Sequence, residues 1–131
     1  MIEDFAQDWP APTTPLPIVL IGAGGIVRDA HLPAYAKAGL TVAAVAEIDE
    51  GRRAALARDF AIPRTHATVA EAVAAHGTSV VYDVAVPPVA IVPILRDLPD
   101  GAAVLIQKPM GSDLATAREI RAICREFPLT H

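Results

Sequence analysis

Residues 18–47 constrain the fold more than any other part of the chain. Four apolar residues, Ile18-Val19-Leu20-Ile21, run into Gly22-Ala23-Gly24-Gly25. An amphipathic stretch from Ile26 to Ala38 follows, then Thr41-Val42-Ala43-Ala44-Val45-Ala46, then Glu47. The order is strand, glycine turn, helix, strand, acid. It is the layout of a βαβ unit that holds a dinucleotide. Gly22 permits a tight turn out of the strand, and Gly24, with no Cβ, lets the backbone come close to a pyrophosphate. The helix N-terminus presents unpaired N–H groups and a positive dipole end. Glu47 follows Gly24 by 23 residues, near the roughly 20 expected of an acid that accepts hydrogen bonds from a ribose diol. The third glycine of G-x-G-x-x-G is replaced by Val27, which is not small. Either the helix starts farther from the sheet or Gly25 provides the close approach.

The rest of the chain continues the alternation. Strands are expected at 41–47, 64–66, 80–86 and 102–107, and helices at 26–38, 50–60, 69–76, 88–98 and 113–126. Gly39 and Gly77 end two of these helices. Asp49 is the expected N-cap of the second, Thr68 with Glu71 forms a capping box for the third, and Ser112 caps the last. In that last helix Leu114, Ala117, Ile120 and Cys124 recur at helical spacing. Strands alternating with helices imply a parallel sheet covered on both faces. Right-handed crossovers make it doubly wound, with strand order 3-2-1-4-5. Its ligand crevice then lies where the winding reverses, beside Gly22–Ile26, Val86–Pro88 and Gln107–Pro109. Residues 1–17, with Pro10, Pro12, Pro15 and Pro17, read as a separate extended arm, either free or strapped over the domain at 18–131.

Composition excludes several classes. The chain has 131 residues, enough for one domain, and 53% of them are hydrophobic. Its net charge is −4 with no Lys/Arg cluster, so no nucleic-acid footprint is expected. No apolar run approaches the roughly 20 residues that cross a bilayer, and Met1–Asp8 lacks the pattern of a secretory signal. The one cysteine, Cys124, reads as a small packing residue and excludes an internal disulfide. These features favour the cytoplasm.

Three segments then stand in one order: Gly22-Ala23-Gly24-Gly25-Ile26, Val84-Ala85-Val86-Pro87-Pro88 and Gln107-Lys108-Pro109-Met110. From about Pro17 to Arg125 the chain resembles the Gfo/Idh/MocA family of NAD(P)-dependent sugar and polyol oxidoreductases. The stretch from Val104 to Met110 resembles the family's Glu-Lys-Pro signature at the end of the fifth strand. The resemblance implies that Gly22, Ala23, Gly24, Gly25 and Ile26 cradle the pyrophosphate and that Glu47 holds the adenosine ribose. A carboxylate repels a 2′-phosphate, so NAD is favoured over NADP, although Arg52 and Arg53 just beyond act against that preference. Val86 and Pro87 match a Thr-Pro pair beside the nicotinamide ribose, with the hydroxyl lost at Val86. Lys108 matches the signature lysine, the one catalytic candidate, whose charge polarises or positions a substrate oxygen. Gln107 replaces the usual Glu, leaving an amide that orients but cannot ionise.

Other residues invite blander readings. His31, close to Pro33 on the first helix, reads as a packing or surface residue. Asp83 in the fourth strand reads as a partner for nearby backbone. His66 and His76 lack ligand-like spacing, and no metal site is expected. Family members carry a second α/β domain that supplies substrate contacts and acid/base residues; Phe127–His131 does not lead into one. Hydride transfer needs substrate held against the nicotinamide, so this chain is expected to bind cofactor without turnover by itself. The alternatives are a non-enzymatic dinucleotide-binding module that recruits a partner subunit or a second copy, and a methyltransferase, in which Gln107-Lys108-Pro109 has no role.

Overall fold

The computed structural model describes residues 10–126. The first nine residues of the expected arm and the closing Phe127–His131 lie outside the described residues. Five parallel strands form one sheet in the order β3-β2-β1-β4-β5. They are β1 (Ile18–Ile21), β2 (Val42–Ala46), β3 (Arg64–His66), β4 (Val81–Val84) and β5 (Ala103–Ile106). The helices are α1 (Leu32–Ala38), α2 (Glu50–Asp59), α3 (Val69–His76), α4 (Ile91–Asp97) and α5 (Leu114–Glu126). A π-helical turn, Val27–His31, leads into α1, and a 3₁₀ turn, Pro88–Ala90, leads into α4.

The alternation of side chains along each strand divides the core in two. Val19 and Ile21 of β1, with Tyr82 and Val84 of β4, pack against Ala72 of α3, Ile91 and Leu95 of α4, and Ile120 and Ile123 of α5. Ile18 and Leu20 point the other way, toward Val27, Leu32 of α1 and Leu56 of α2. Strands buried on both faces carry near-continuous apolar runs, as β1 does. The exception is Asp83, fully buried in the centre of β4 and in register with Leu20 on β1 and Leu105 on β5.

The caps follow the local chemistry. The Asp49 carboxylate accepts from the Arg52 amide at 2.8 Å, and Thr68 Oγ1 accepts from the Glu71 amide at 3.2 Å. Glu71 reaches one residue beyond its box and accepts from the Ala67 amide instead. Gly39 closes α1 in the left-handed conformation, φ 70°. The last helix departs from expectation. Asp113, not Ser112, caps it, accepting from the Thr116 amide at 2.7 Å. That hydrogen bond holds the Asp113 carboxyl below its ordinary range. A carboxylate accepts from an N–H more strongly than a hydroxyl does, and it stands one residue closer to the helix.

His66 and His76 meet in the fold. They come from β3 and the end of α3, ten residues apart, yet their Nε2 atoms lie 3.0 Å apart with the rings edge-to-face. One nitrogen donates and the other accepts, so the pair holds a single proton between them. Burial lowers both pKa values, and the Arg64 charge adds to this. The His66 carbonyl accepts from the Glu47 amide at 3.1 Å, tying this pair to the end of β2. In the folded state both rings resist protonation, whereas in the unfolded chain they take it up near the ordinary value of about 6.5. Stability is therefore present above that pH and is lost as pH falls through the lowered folded-state values. Thermal midpoints recorded from about pH 8 to 5 are expected to show this decline. His76→Gln, which keeps a donor for His66 but cannot titrate, is expected to make the decline shallower.

Candidate functional site

The winding reverses between β1 and β4, and the two strands end side by side. Beyond β1 the chain turns at Gly22, φ 105°. A Cβ placed there would sit 2.3 Å from the Ala85 carbonyl oxygen, which belongs to the segment leaving β4. The backbone itself supplies the walls at this point, and only glycine fits between them. Gly24 is different. A Cβ there would meet nothing within 4 Å, so its Cα borders open space above the sheet.

Two hollows flank this crossing. The larger, about 450 Å³, lies over the ends of β1 and β2, bordered by Gly22, Ala23, Gly24, Glu47, Arg52 and Pro87. The smaller, about 300 Å³, is lined by Ile26, Ala85, Val86, Pro87, Gln107 and Lys108. They share Ala85, Val86 and Pro87, so together they form a track over the carboxyl ends of β2, β1, β4 and β5. Every site residue expected from the sequence except Gly25 lines one hollow or the other. Gly25 lies in the turn between Gly24 and Ile26.

Val27 does not block the turn. It is fully buried within the core cluster that holds Leu20 and Val45. The helix opens in α form at Gly25–Ile26, where the Arg28 amide donates to the Gly24 carbonyl at 3.2 Å, and widens to the π form over Val27–His31, where the Leu32 amide donates to the Val27 carbonyl. Gly25 does not take over the close approach, because a Cβ there would meet only Asp29 Oδ2, at 3.9 Å. The valine is absorbed by the helix–sheet core, and a wider turn gives its branched side chain room.

Glu47 stands at the carboxyl end of β2. Its side chain is 13% exposed and lies 3.9 Å from the Arg52 guanidinium, which is 65% exposed. Arg53 donates to the Glu47 carbonyl oxygen at 2.7 Å. An ion pair this long and this solvated contributes little energy, so the carboxylate remains available to a hydroxyl donor in the larger hollow. At the other end Lys108 is exposed at the rim of the smaller hollow. Its peptide to Pro109 is cis, and its amide donates to Gln107 Oε1 at 2.8 Å.

A group of side chains behind Gln107 was not legible in the sequence. His31, expected as packing or surface, sits between Asp83 and Gln107. Its Nδ1 lies 2.6 Å from Asp83 Oδ2 and its Nε2 lies 2.9 Å from Gln107 Nε2. Tyr35 donates to the same Asp83 oxygen at 2.7 Å. Asp83 thus pairs with two side chains of the first helix, not with backbone. Burying a carboxyl without partners costs several kcal/mol, and these two short hydrogen bonds offset that cost. Burial raises the Tyr35 pKa, and the Asp83 hydrogen bond and charge raise it further, so the phenol keeps its proton and donates. The partners are 48 and 52 residues apart, and the one usable signal was an acid inside an otherwise apolar strand.

Comparisons with known proteins give the family and the fold. Residues 16–130 match the Gfo/Idh/MocA family, described as an oxidoreductase family with an NAD-binding Rossmann fold. No curated protein matches the sequence. Among solved structures, a 3-ketoreductase from Actinomadura kijaniata, in complex with NADP and TDP-benzene, is 26% identical. It superposes with TM-score 0.69 over 88% of this chain and 36% of its own. An oxidoreductase from Agrobacterium radiobacter, in complex with NAD+, L-tartaric acid and magnesium, is 23% identical with TM-score 0.73, over 88% of this chain and 34% of its own. Myo-inositol 2-dehydrogenase from Lactobacillus plantarum is 15% identical with TM-score 0.72, over 89% and 36%. The chain spans about a third of the length of these structures.

Gly22→Ala is expected to destabilise the chain by about 2 kcal/mol or more, because it combines a positive φ with a clash against backbone. Gly24→Ala, whose Cβ meets open space, is expected to leave the thermal midpoint nearly unchanged and to act on ligand binding instead. Denaturant melts of the two variants make the comparison.

Proposed function

The chain belongs to the oxidoreductase family with an NAD-binding Rossmann fold, and we propose that its two hollows hold the two ends of one NAD molecule. The observation that carries this reading is the open space over Gly24 in the wall of the larger hollow, next to the turn where Gly22 meets Ala85. The larger hollow takes the adenosine, with Glu47 accepting from the ribose hydroxyls. Gly22, Ala23, Gly24, Gly25 and Ile26 offer main-chain amides to the pyrophosphate at the start of the helix. The smaller hollow takes the nicotinamide ribose against Val86 and Pro87, with Gln107 and Lys108 at its far wall. When bound, NAD supplies the hydride acceptor.

The remaining roles fall to the protein. Lys108 is the proposed catalytic residue; from the rim of the smaller hollow its ammonium holds and polarises a substrate oxygen. Gln107 contributes no charge there. The apolar surfaces of Val86 and Ile26 exclude water from the same corner. The substrate class is a sugar or polyol alcohol, and the family's substrate-binding domain, or a partner subunit or second copy, completes the pocket. We place the protein in the cytoplasm, consistent with its single cysteine and with the absence, among the described residues, of a helix long and apolar enough to cross a membrane. A non-enzymatic dinucleotide-binding module is the alternative.

NAD is the favoured cofactor because the Glu47 carboxylate opposes a 2′-phosphate, while Arg52, solvated and 3.9 Å away, softens that preference. Isothermal titration is expected to give NAD binding in about the micromolar to millimolar range; no heat and no thermal shift at millimolar NAD would overturn the reading. Glu47→Ala is expected to weaken NAD about tenfold, the worth of a hydrogen bond to a charged group. The same change is expected to narrow or reverse the preference over NADP, because Arg52 and Arg53 remain to meet the added phosphate. Binding without turnover of any polyol once the remainder of the site is supplied would favour the non-enzymatic module.

A further inference from the structure

We infer that His31 is a positioning residue for the nicotinamide end of the cleft, and that it acts only as the neutral ring with its proton on Nδ1. The inference rests on the proposed placement of NAD and concerns atoms that the reading does not use. It follows from a row of hydrogen bonds whose direction is fixed at both ends. At one end the Lys108 amide can only donate, so the atom it meets at 2.8 Å is the carbonyl oxygen of Gln107. The Gln107 NH2 group therefore faces His31 Nε2 at 2.9 Å, and that nitrogen must accept. A ring that accepts at Nε2 is neutral and carries its hydrogen on Nδ1. At the other end Asp83 Oδ2 already accepts from Tyr35, whose raised pKa keeps the phenol protonated. The same oxygen is an acceptor for Nδ1–H at 2.6 Å. The Asp83 end requires a hydrogen on Nδ1, the Gln107 end excludes one on Nε2, and together they assign the tautomer.

The groups facing His31 are few. Asp83 faces it from β4 and Tyr35 from its own helix, while from the end of β5 it meets the neutral amide of Gln107. His31 is 14% exposed at the side chain and Asp83 is fully buried. Asp83 Oδ1 is buried without a hydrogen-bond partner among the described residues.

The consequence is a coupling between one proton and the wall of the cleft. A proton added to His31 Nε2 sets two donors, the ring N–H and the Gln107 amide, against each other. The amide then turns to offer Oε1 to the ring, and the Lys108 amide loses its acceptor. Glutamate at 107 would behave oppositely: one carboxylate oxygen accepts from an imidazolium Nε2–H while the other keeps the Lys108 amide. Gln107, noted in the sequence as a departure from the Glu-Lys-Pro pattern, is thus the residue that makes the position of Lys108 sensitive to the charge on His31.

Long-range ¹H–¹⁵N spectra of the ¹⁵N-labelled chain at neutral pH, with His31 assigned by loss of its signal in His31→Gln, test this without any ligand. The expected result is an Nδ1–H, unprotonated-Nε2 pattern for His31. On acidification the Lys108 backbone amide signal is expected to move together with the His31 ring signals. In Gln107→Glu, where one carboxylate oxygen keeps the Lys108 amide whatever the ring does, that amide signal is expected to be insensitive to pH over the same interval. An Nε2–H tautomer, an imidazolium in the native chain, or a Lys108 amide that ignores His31 overturns the inference. NAD titrations over the same pH range separate the two readings. Affinity is expected to fall about tenfold on acidification, the equivalent of one lost hydrogen bond, and by less than about twofold in Gln107→Glu. Absence of NAD binding at every pH overturns the placement of NAD and leaves the spectra to decide the tautomer. Binding that is flat with pH in the native chain overturns the coupling to the cleft.

Discussion

The contact between Gly22 and the Ala85 carbonyl is the constraint on which the rest depends. Two parallel strands end together, and the chains leaving them pass so closely that no side chain can stand between them. The chain leaving β1 turns toward one face and the chain leaving β4 toward the other, so a trough opens between them. Every candidate site residue is placed by its distance from that crossing. The glycine turn forms one bank, Val86 and Pro87 the other, and the strands on either side contribute Glu47 and Gln107 at the far ends. The trough exists because the sheet is wound in two directions, and its floor is backbone because Gly22 leaves no alternative.

Much of this was legible in the sequence, for a specific reason. Strand order and crevice position follow from connectivity, since alternating strands and helices with right-handed crossovers leave few arrangements. Gly22, Glu47, Pro87 and Lys108 could be placed because each stands at a strand end, and strand ends are marked by a change of residue type. Element ends are less sharply specified, and they differ from the residue pattern by a residue or two. Ser112 and Asp113 are both good caps, and only the geometry of the last turn chooses the acid. At Val27 the structure takes neither alternative drawn from the glycine pattern: the valine is buried in the core, and the π segment Val27–His31 begins at it.

Side-chain pairing across the sheet was not legible. His31, Tyr35 and Asp83 look unremarkable one at a time, and the amphipathic pattern of the first helix gives no sign that two of its polar groups face inward. What joins them is the pleat. Asp83 shares the face of Leu20, and that face is covered by the helix which carries His31 and Tyr35. His66 and His76 were missed for the same reason, since their approach depends on how the end of α3 lies beside β3. Sequence spacing reports neighbours along an element, whereas these contacts are set by which elements share a face.

The two ends of the trough differ in how they are held, and the difference bears on what each can do. Glu47 is secured through its main chain, by its own amide on the His66 carbonyl and by Arg53 on its carbonyl oxygen. Its carboxylate keeps only a long, solvated ion pair and is left to meet a ligand. Lys108 is likewise held through its main chain, but its anchor is the Gln107 side chain, which in turn leans on His31 and, through it, on a buried acid. A main-chain tether does not depend on protonation, whereas a row of side chains passing through an imidazole does. The end proposed for adenosine is therefore held by main-chain tethers, and the end proposed for nicotinamide carries a geometry that depends on where a single proton resides.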